Sequence, residues 1–192
     1  MCKVALLLSI GVVVAARDLS ARFDEIAKSR ADAKQFMGNV LVAKSDQVFL
    51  EKSYGLANVE SNVPNTAESK FRTGSVTRQF TAASILLLED RGKLNSGDRV
   101  SNYVPNAPAA WATITIYQLL THTSGIPSFT DFPEYEQFET QPTTPRKRLA
   151  FFRDKPLEFE PGSKWKYSNS GYEVLSYVIE KITGPDLSAI SE

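Results

Sequence analysis

Apolar positions recur at helical spacing just after the N-terminal segment. In "RDLSARFDEIAKSRADAKQF", Leu19, Phe23, Ile26 and Ala27 fall on one face and charged residues fill the rest. That pattern predicts an amphipathic helix from Leu19 to about Phe36. The period then changes. Val40–Ala43 and Val48–Tyr54 are rich in β-branched and apolar residues and flank the turn residues Ser45 and Asp46, which predicts a β-hairpin. "NVESNVPNTAES" reads as a polar loop. "SVTRQFTAASILLLEDRGKL" returns to a helical pattern through Phe80, Ala83, Ile85, Leu87 and Leu88, with Gly92 as its stop. "TITIYQLLTHTSG" predicts a short helix that starts near an N-cap at Thr115 and ends at Gly125. A long aromatic, proline-containing loop follows. Then come a helix that opens on "PRKRL", a turn at Pro161-Gly162, and a last helix from about Gly171 to Thr183. "PDLSAISE" reads as the start of another helix. Two strands alone make a marginal sheet, so the pattern predicts further strands downstream.

The first residues, "MCKVALLLSIGVVVAARD", follow a different rule. Lys3 supplies a positive start, Val4–Val14 is apolar except for Ser9 and Gly11, and Val14-Ala15-Ala16 is a small-residue cleavage pattern. This predicts a signal peptide over residues 1–16 and a secreted or periplasmic product. The apolar run is shorter than the roughly 20 residues of a spanning helix, so no membrane span is expected.

Charge and composition narrow the chemistry. The chain has 192 residues, with 22 basic and 22 acidic ones. A neutral balance without a basic cluster argues against nucleic acid as a partner. The only cysteine, Cys2, lies in the segment expected to be removed, and His122 is the only histidine. A zinc site of the usual His/Cys kind cannot be assembled from these. No metal or cofactor is expected, and a histidine-based triad could use only His122.

Ser75 is the candidate nucleophile. It precedes a helix, where free backbone N–H groups can face a developing oxyanion. Arg78, at i+3, shares its face. A serine hydroxyl needs a neighbour to take its proton, and a lysine at that spacing can do so. The spacing alone is unspecific. Ser163 and Lys166 in "SKWK" match the lysine pattern in a turn, and Ser96 and Arg99 in "SGDR" match the arginine version in a loop. The competing reading of Ser75 is a helix N-cap. For His122 it is a packed or capping residue, and for Tyr167 an aromatic core residue.

Three stretches in order carry more weight: "FRTGSVTRQFTAASILLLEDRGKL", "ITIYQLLTHTSGIPSF" and "FEPGSKWKYSNSGYEVLSYVIEKITG". Together, from about Gly38 to Thr183, they resemble the serine β-lactamase and penicillin-binding-protein superfamily, in particular the branch with class C β-lactamases, D-aminopeptidases and related esterases. The resemblance implies an α+β fold, an antiparallel sheet packed with helices. Residues 17–192 would be the N-terminal part of that domain. It implies Ser75 as the acylated nucleophile and Tyr167 as the residue that moves protons to and from it. It implies Asn169 as a binder of the substrate amide, and a mainly structural role for "LLTHTSGI".

Two departures qualify this. Arg78 stands where the family has lysine. Arginine keeps a positive charge but cannot act as a base, since its pKa exceeds ~12; it can only polarise and position. No Lys-Thr-Gly or His-x-Gly triplet, the family's third motif, occurs in the sequence, so a C-terminally incomplete domain is expected. The expected function is a serine hydrolase acting on an amide, ester, peptide or β-lactam bond of a small-molecule or peptide substrate, with impaired activity in this chain. The alternative is a non-catalytic secreted binding or regulatory relative, or a truncated gene product. Oligomeric state is open at this point.

Overall fold

The computed structural model describes residues 19–136 and 143–184. The expected signal peptide, part of the long loop and the helix expected at "PDLSAISE" lie outside the described residues. The chain divides into two compact units, one running to Arg72 and the other starting at Thr73.

The first unit holds a helix, α1, over residues 19–32, and an antiparallel hairpin of β1 (Gly38–Lys44) and β2 (Gln47–Tyr54). Helix α1 ends about one turn before the predicted Phe36, where Lys34 takes a positive φ of 56°. The hairpin matches the predicted runs. Its register pairs Val42 with Leu50, then slips so that Ala43 pairs with Val48, leaving Phe49 as a bulge residue. The Phe49 ring meets Phe23 of α1 edge-on at 6.4 Å. Asp24 accepts from Lys52 at 2.5 Å and from the Tyr54 hydroxyl at 2.8 Å. Those two bonds hold the Asp24 carboxyl below the usual range. Burial, with Asp24 beside it, pushes Tyr54 up to about 12. The stretch read as a polar loop contains a second short ladder, β3 (Leu56–Asn58) with β4 (Val63–Pro64). Three- and two-residue strands are too short to show an alternation of side chains, so periodicity could not reveal them.

The second unit carries the larger core. Helix α2 is Thr77–Asp90, α3 is Ile116–Leu120, α4 is Pro145–Phe152 and α5 is Asn169–Thr183. Local capping sets three of their starts. Thr115 and Gln118 form a reciprocal capping box on α3. Thr144 caps α4, with Pro145 in its first turn. Ser168 caps α5, which begins at Asn169, two residues before the predicted start. Helix α5 is the centre of this unit. Ser170, Gly171, Val174, Leu175, Val178 and Ile179 are buried along it, the spacing of one helical face, and it contacts α2, α3 and α4. Ile85 and Leu88 of α2, Leu119 of α3, and Leu149 and Phe152 of α4 complete the core with Trp111. Phe152 stacks on Trp111 at 6.3 Å and on Phe129 at 5.8 Å. The Arg148–Glu173 ion pair, 2.6 Å long, ties α4 to α5. Helix, hairpin and connections form the α+β arrangement that the resemblance implies.

Helix α3 stops at Leu120, before the predicted end at Gly125. His122 takes a φ of 58° there, and the chain turns back. Three backbone bonds then bind this turn to the segment before α5. The His122 carbonyl accepts from the Lys166 N–H at 3.0 Å, Thr123 from Gly162 at 2.8 Å and Gly125 from Glu158 at 2.9 Å. Gly125 has a φ of 77°, and a β-carbon there would lie 2.2 Å from the Phe159 carbonyl oxygen. Backbone, unlike a flexible side chain, cannot step aside. Gly125→Ala should therefore lower unfolding free energy by more than the ~1–2 kcal/mol of a left-handed residue alone, as read by chemical denaturation.

Candidate active site

Gly74–Val76 forms a single 3-10 turn leading into α2. Thr77 closes it, its hydroxyl donating to the Gly74 carbonyl at 2.5 Å. Ser75 sits in that turn with its side chain exposed. The N-cap of α2 is Val76, and no side chain caps the helix. Ser75 therefore does not fill the capping role that its position alone allows. Its Oγ instead lies 2.9 Å from the Tyr167 hydroxyl.

Tyr167 reaches Ser75 because the backbone ladder between residues 122–125 and 158–166 fixes the segment just before it. Its ring is held on two sides. His122 lies 4.7 Å away, centroid to centroid, and the Arg78 guanidinium carbon sits 4.7 Å over the ring. Arg78 Nε donates to the Tyr167 hydroxyl at 2.8 Å. A phenol oxygen has two lone pairs. Arg78 occupies one, and the other is open to the Ser75 proton.

Arg78 is itself enclosed. The guanidinium carbon lies 4.6 Å from the Tyr172 ring centroid, so it contacts two aromatic faces. Nη2 donates to the Asn169 Oδ1, while Nη1 is buried without a hydrogen-bond partner. Asn169, at the start of α5, turns its Nδ2 to the Thr130 hydroxyl at 2.7 Å and to Ser128 Oγ at 3.3 Å. Burial pushes Tyr172 up, against the opposing pull of Arg78, and its hydroxyl donates to the Leu120 carbonyl at 3.2 Å.

Ser75, Arg78, Thr130, Tyr135, Asn169 and Glu173 border one cleft of about 370 Å³. All four residues singled out in the sequence, Ser75, Arg78, Tyr167 and Asn169, thus meet in one hydrogen-bonded cluster. The other Ser-x-x-Lys match does not. Ser163 bonds the Glu160 carbonyl and Lys166 pairs with Glu158 at 2.6 Å. In the arginine match, Ser96 bonds Glu89 and Arg99 bonds the Ala112 carbonyl. Ser128, Thr130 and Tyr172 were not anticipated. Tyr172 had a signal, since it lies three residues after Asn169 on the same helix face. Ser128 and Thr130 had none, because they reach the site through the loop after α3. Among the described residues no cluster of metal-ligating side chains occurs, and no helix is long and apolar enough to cross a membrane.

The Beta-lactamase family model matches residues 23–190. The chain belongs to the Beta-lactamase family. This Beta-lactamase-family chain is 33% identical over 152 residues to "Penicillin-binding protein 4*" of Bacillus subtilis, covering 78% of this chain and 33% of that protein. It thus spans about a third of the length of that curated relative. Among solved structures it resembles a penicillin-binding protein from Bacillus halodurans, with a TM-score of 0.71 and 28% identity, over 82% of this chain and 48% of the other. It also resembles "EstCE1, a hydrolase with promiscuous acyltransferase activity", with a TM-score of 0.77 and 26% identity, over 92% and 50%. The fold is that of the β-lactamases and transpeptidases.

His122 packs at a tilt against Tyr167 and, at 5.2 Å, against Tyr172. Its Nδ1 accepts the Ser168 N–H at 3.2 Å. This is a packed residue that fixes the turn before α5. Burial, and secondarily the Arg78 charge, hold its imidazole below the ordinary value of 6.5. The folded state then resists a proton that the unfolded chain accepts. The stability His122 contributes is present above pH ~6.5 and is lost as pH falls below it. Thermal midpoints measured at pH 7.5 and 5.5 should drop for the parent. The drop should be smaller for His122→Asn, since asparagine tolerates positive φ.

Proposed function

We propose that the chain carries the nucleophile side of an exported serine hydrolase site. In this reading Ser75 Oγ attacks the carbonyl of an amide, ester, peptide or β-lactam, and water later releases the acyl group. The observation that carries it is the continuous contact from Ser75 to Tyr167 to Arg78, at 2.9 and 2.8 Å. The Beta-lactamase family membership supports the same reaction class.

Each group has a limited part. As Ser75 Oγ bonds to the carbonyl carbon, its proton must leave. Tyr167 Oη is the acceptor within reach, and it can take that proton only as a phenolate. Arg78 cannot take it. It supplies a fixed positive charge beside the oxygen that must carry the negative one. The returning proton goes from Tyr167 to the leaving group. Residues 1–16 would direct export and be removed, a step that N-terminal sequencing of the secreted protein would read.

A second reading is a binding relative that does not turn over. It is favoured by Arg78 itself, a cation that can never serve as the base its position calls for. Intact mass separates the two. The hydrolase reading expects one acyl group from a reactive β-lactam or activated ester, mapped to Ser75 and lost in Ser75→Ala. No adduct would support the binding reading. Losing a general base typically costs on the order of 10²–10⁴ in rate. Arg78→Lys should therefore raise the labelling rate, by tenfold or more if the missing base limits it. No gain would assign the limit to Tyr167 or to geometry.

A further inference from the structure

Among the described residues Trp165 is the most exposed large hydrophobic, at 66%. A single exposed ring needs no explanation by itself, but this one has a fixed place beside the site. It stands two residues before Tyr167, in the segment that leads into α5. Both rings lie against His122, Trp165 edge-on at 6.2 Å and Tyr167 at 4.7 Å, so they face the same side. Lys166, between them, pairs with Glu158 at 2.6 Å, and its backbone N–H donates to the His122 carbonyl at 3.0 Å. The indole is thus anchored before any ligand arrives, which lowers the ordering cost of binding. Asn169, two residues after Tyr167, borders the cleft that holds Ser75. Trp165 does not line that cleft and flanks Tyr167 from the opposite direction of the chain.

We propose that Trp165 is a specificity-determining residue whose indole face receives a flat leaving group, such as an aryl alcohol or aryl amine. The inference rests on the serine hydrolase reading. In that reading the acyl part of the substrate occupies the cleft. Ser75 Oγ bonds to the acyl carbon, the bond from that carbon to the leaving oxygen or nitrogen breaks, and Tyr167 returns the proton to the leaving atom. The leaving group therefore stands at the Tyr167 hydroxyl, with Trp165 as the next exposed ring. A planar ring would meet the indole offset-stacked or edge-on. An aliphatic leaving group of equal size would gain apolar contact alone.

Two acetate esters test it on the full chain, one of phenol and one of an aliphatic alcohol matched to phenol in acidity. The acyl group is the same, so a difference in rate reports the leaving group. Intact mass reads the acylation rate of Ser75. Trp165→Ala should lower the aryl-to-aliphatic rate ratio about threefold to tenfold, and Trp165→Phe should restore most of it. A second readout needs no acylation. The chain has two tryptophans, and Trp111 is 1% exposed, so iodide in solution quenches the fluorescence of Trp165. In Ser75→Ala, acetanilide should protect Trp165 from iodide saturably, and N-methylacetamide should not. The proposal is overturned if Trp165→Ala leaves the ratio unchanged, if Trp165→Phe behaves like Trp165→Ala, or if acetanilide gives no protection. A parent that takes no acyl group from either ester would defeat the hydrolase reading, and protection by acetanilide would still decide whether the indole receives a flat ring.

Discussion

The site is organised around one permanent charge. Arg78 is largely enclosed, and burying a cation is costly unless its charge and its hydrogen bonds are matched. Among the described residues no carboxylate forms an ion pair with it. Compensation comes from two aromatic faces, Tyr167 and Tyr172, and from two oxygens, those of Tyr167 and Asn169. Partial charges replace a counter-ion, and they leave the guanidinium field directed at the one oxygen in contact with Ser75. A carboxylate partner would have neutralised that field. One guanidinium nitrogen, Nη1, remains unpaired, so the compensation is incomplete.

Holding this arrangement requires α2 and α5 to keep their relative position. The core does that. Helix α5 buries a full face against α2, α3 and α4. Asn169 and Tyr172 project from the same helix that anchors the core. Tyr167 is placed differently, by the bonds between the His122–Gly125 turn and residues 158–166. Positive φ at His122 and Gly125 makes that turn possible. The aromatic contacts of His122 therefore help hold Tyr167 beside Ser75.

The first unit is built with much less core. Among its described residues Leu50 is the buried large hydrophobic, while Ile26, Leu41 and Val48 remain more than half exposed. Its helix and hairpin are held by one aromatic contact and by the Asp24 bonds to Lys52 and Tyr54.

Local chemistry was legible without coordinates. The helix periodicities, the Ser45-Asp46 hairpin, the Thr115 cap and the glycine stop at Gly92 all follow from residue type and spacing, because each is satisfied within a few neighbouring residues. Ser75, Arg78, Tyr167 and Asn169 were identifiable as a set only through the resemblance of three long stretches. Spacing alone gave two equally good false matches at Ser96 and Ser163. Tertiary structure decided what those residues do to one another. That Arg78 bonds Tyr167, and that Ser128 and Thr130 orient Asn169, depends on contacts across 89, 41 and 39 positions of chain. No local pattern encodes such distances. They are set by how α5 packs, and the direction of each hydrogen bond follows once donors and acceptors meet.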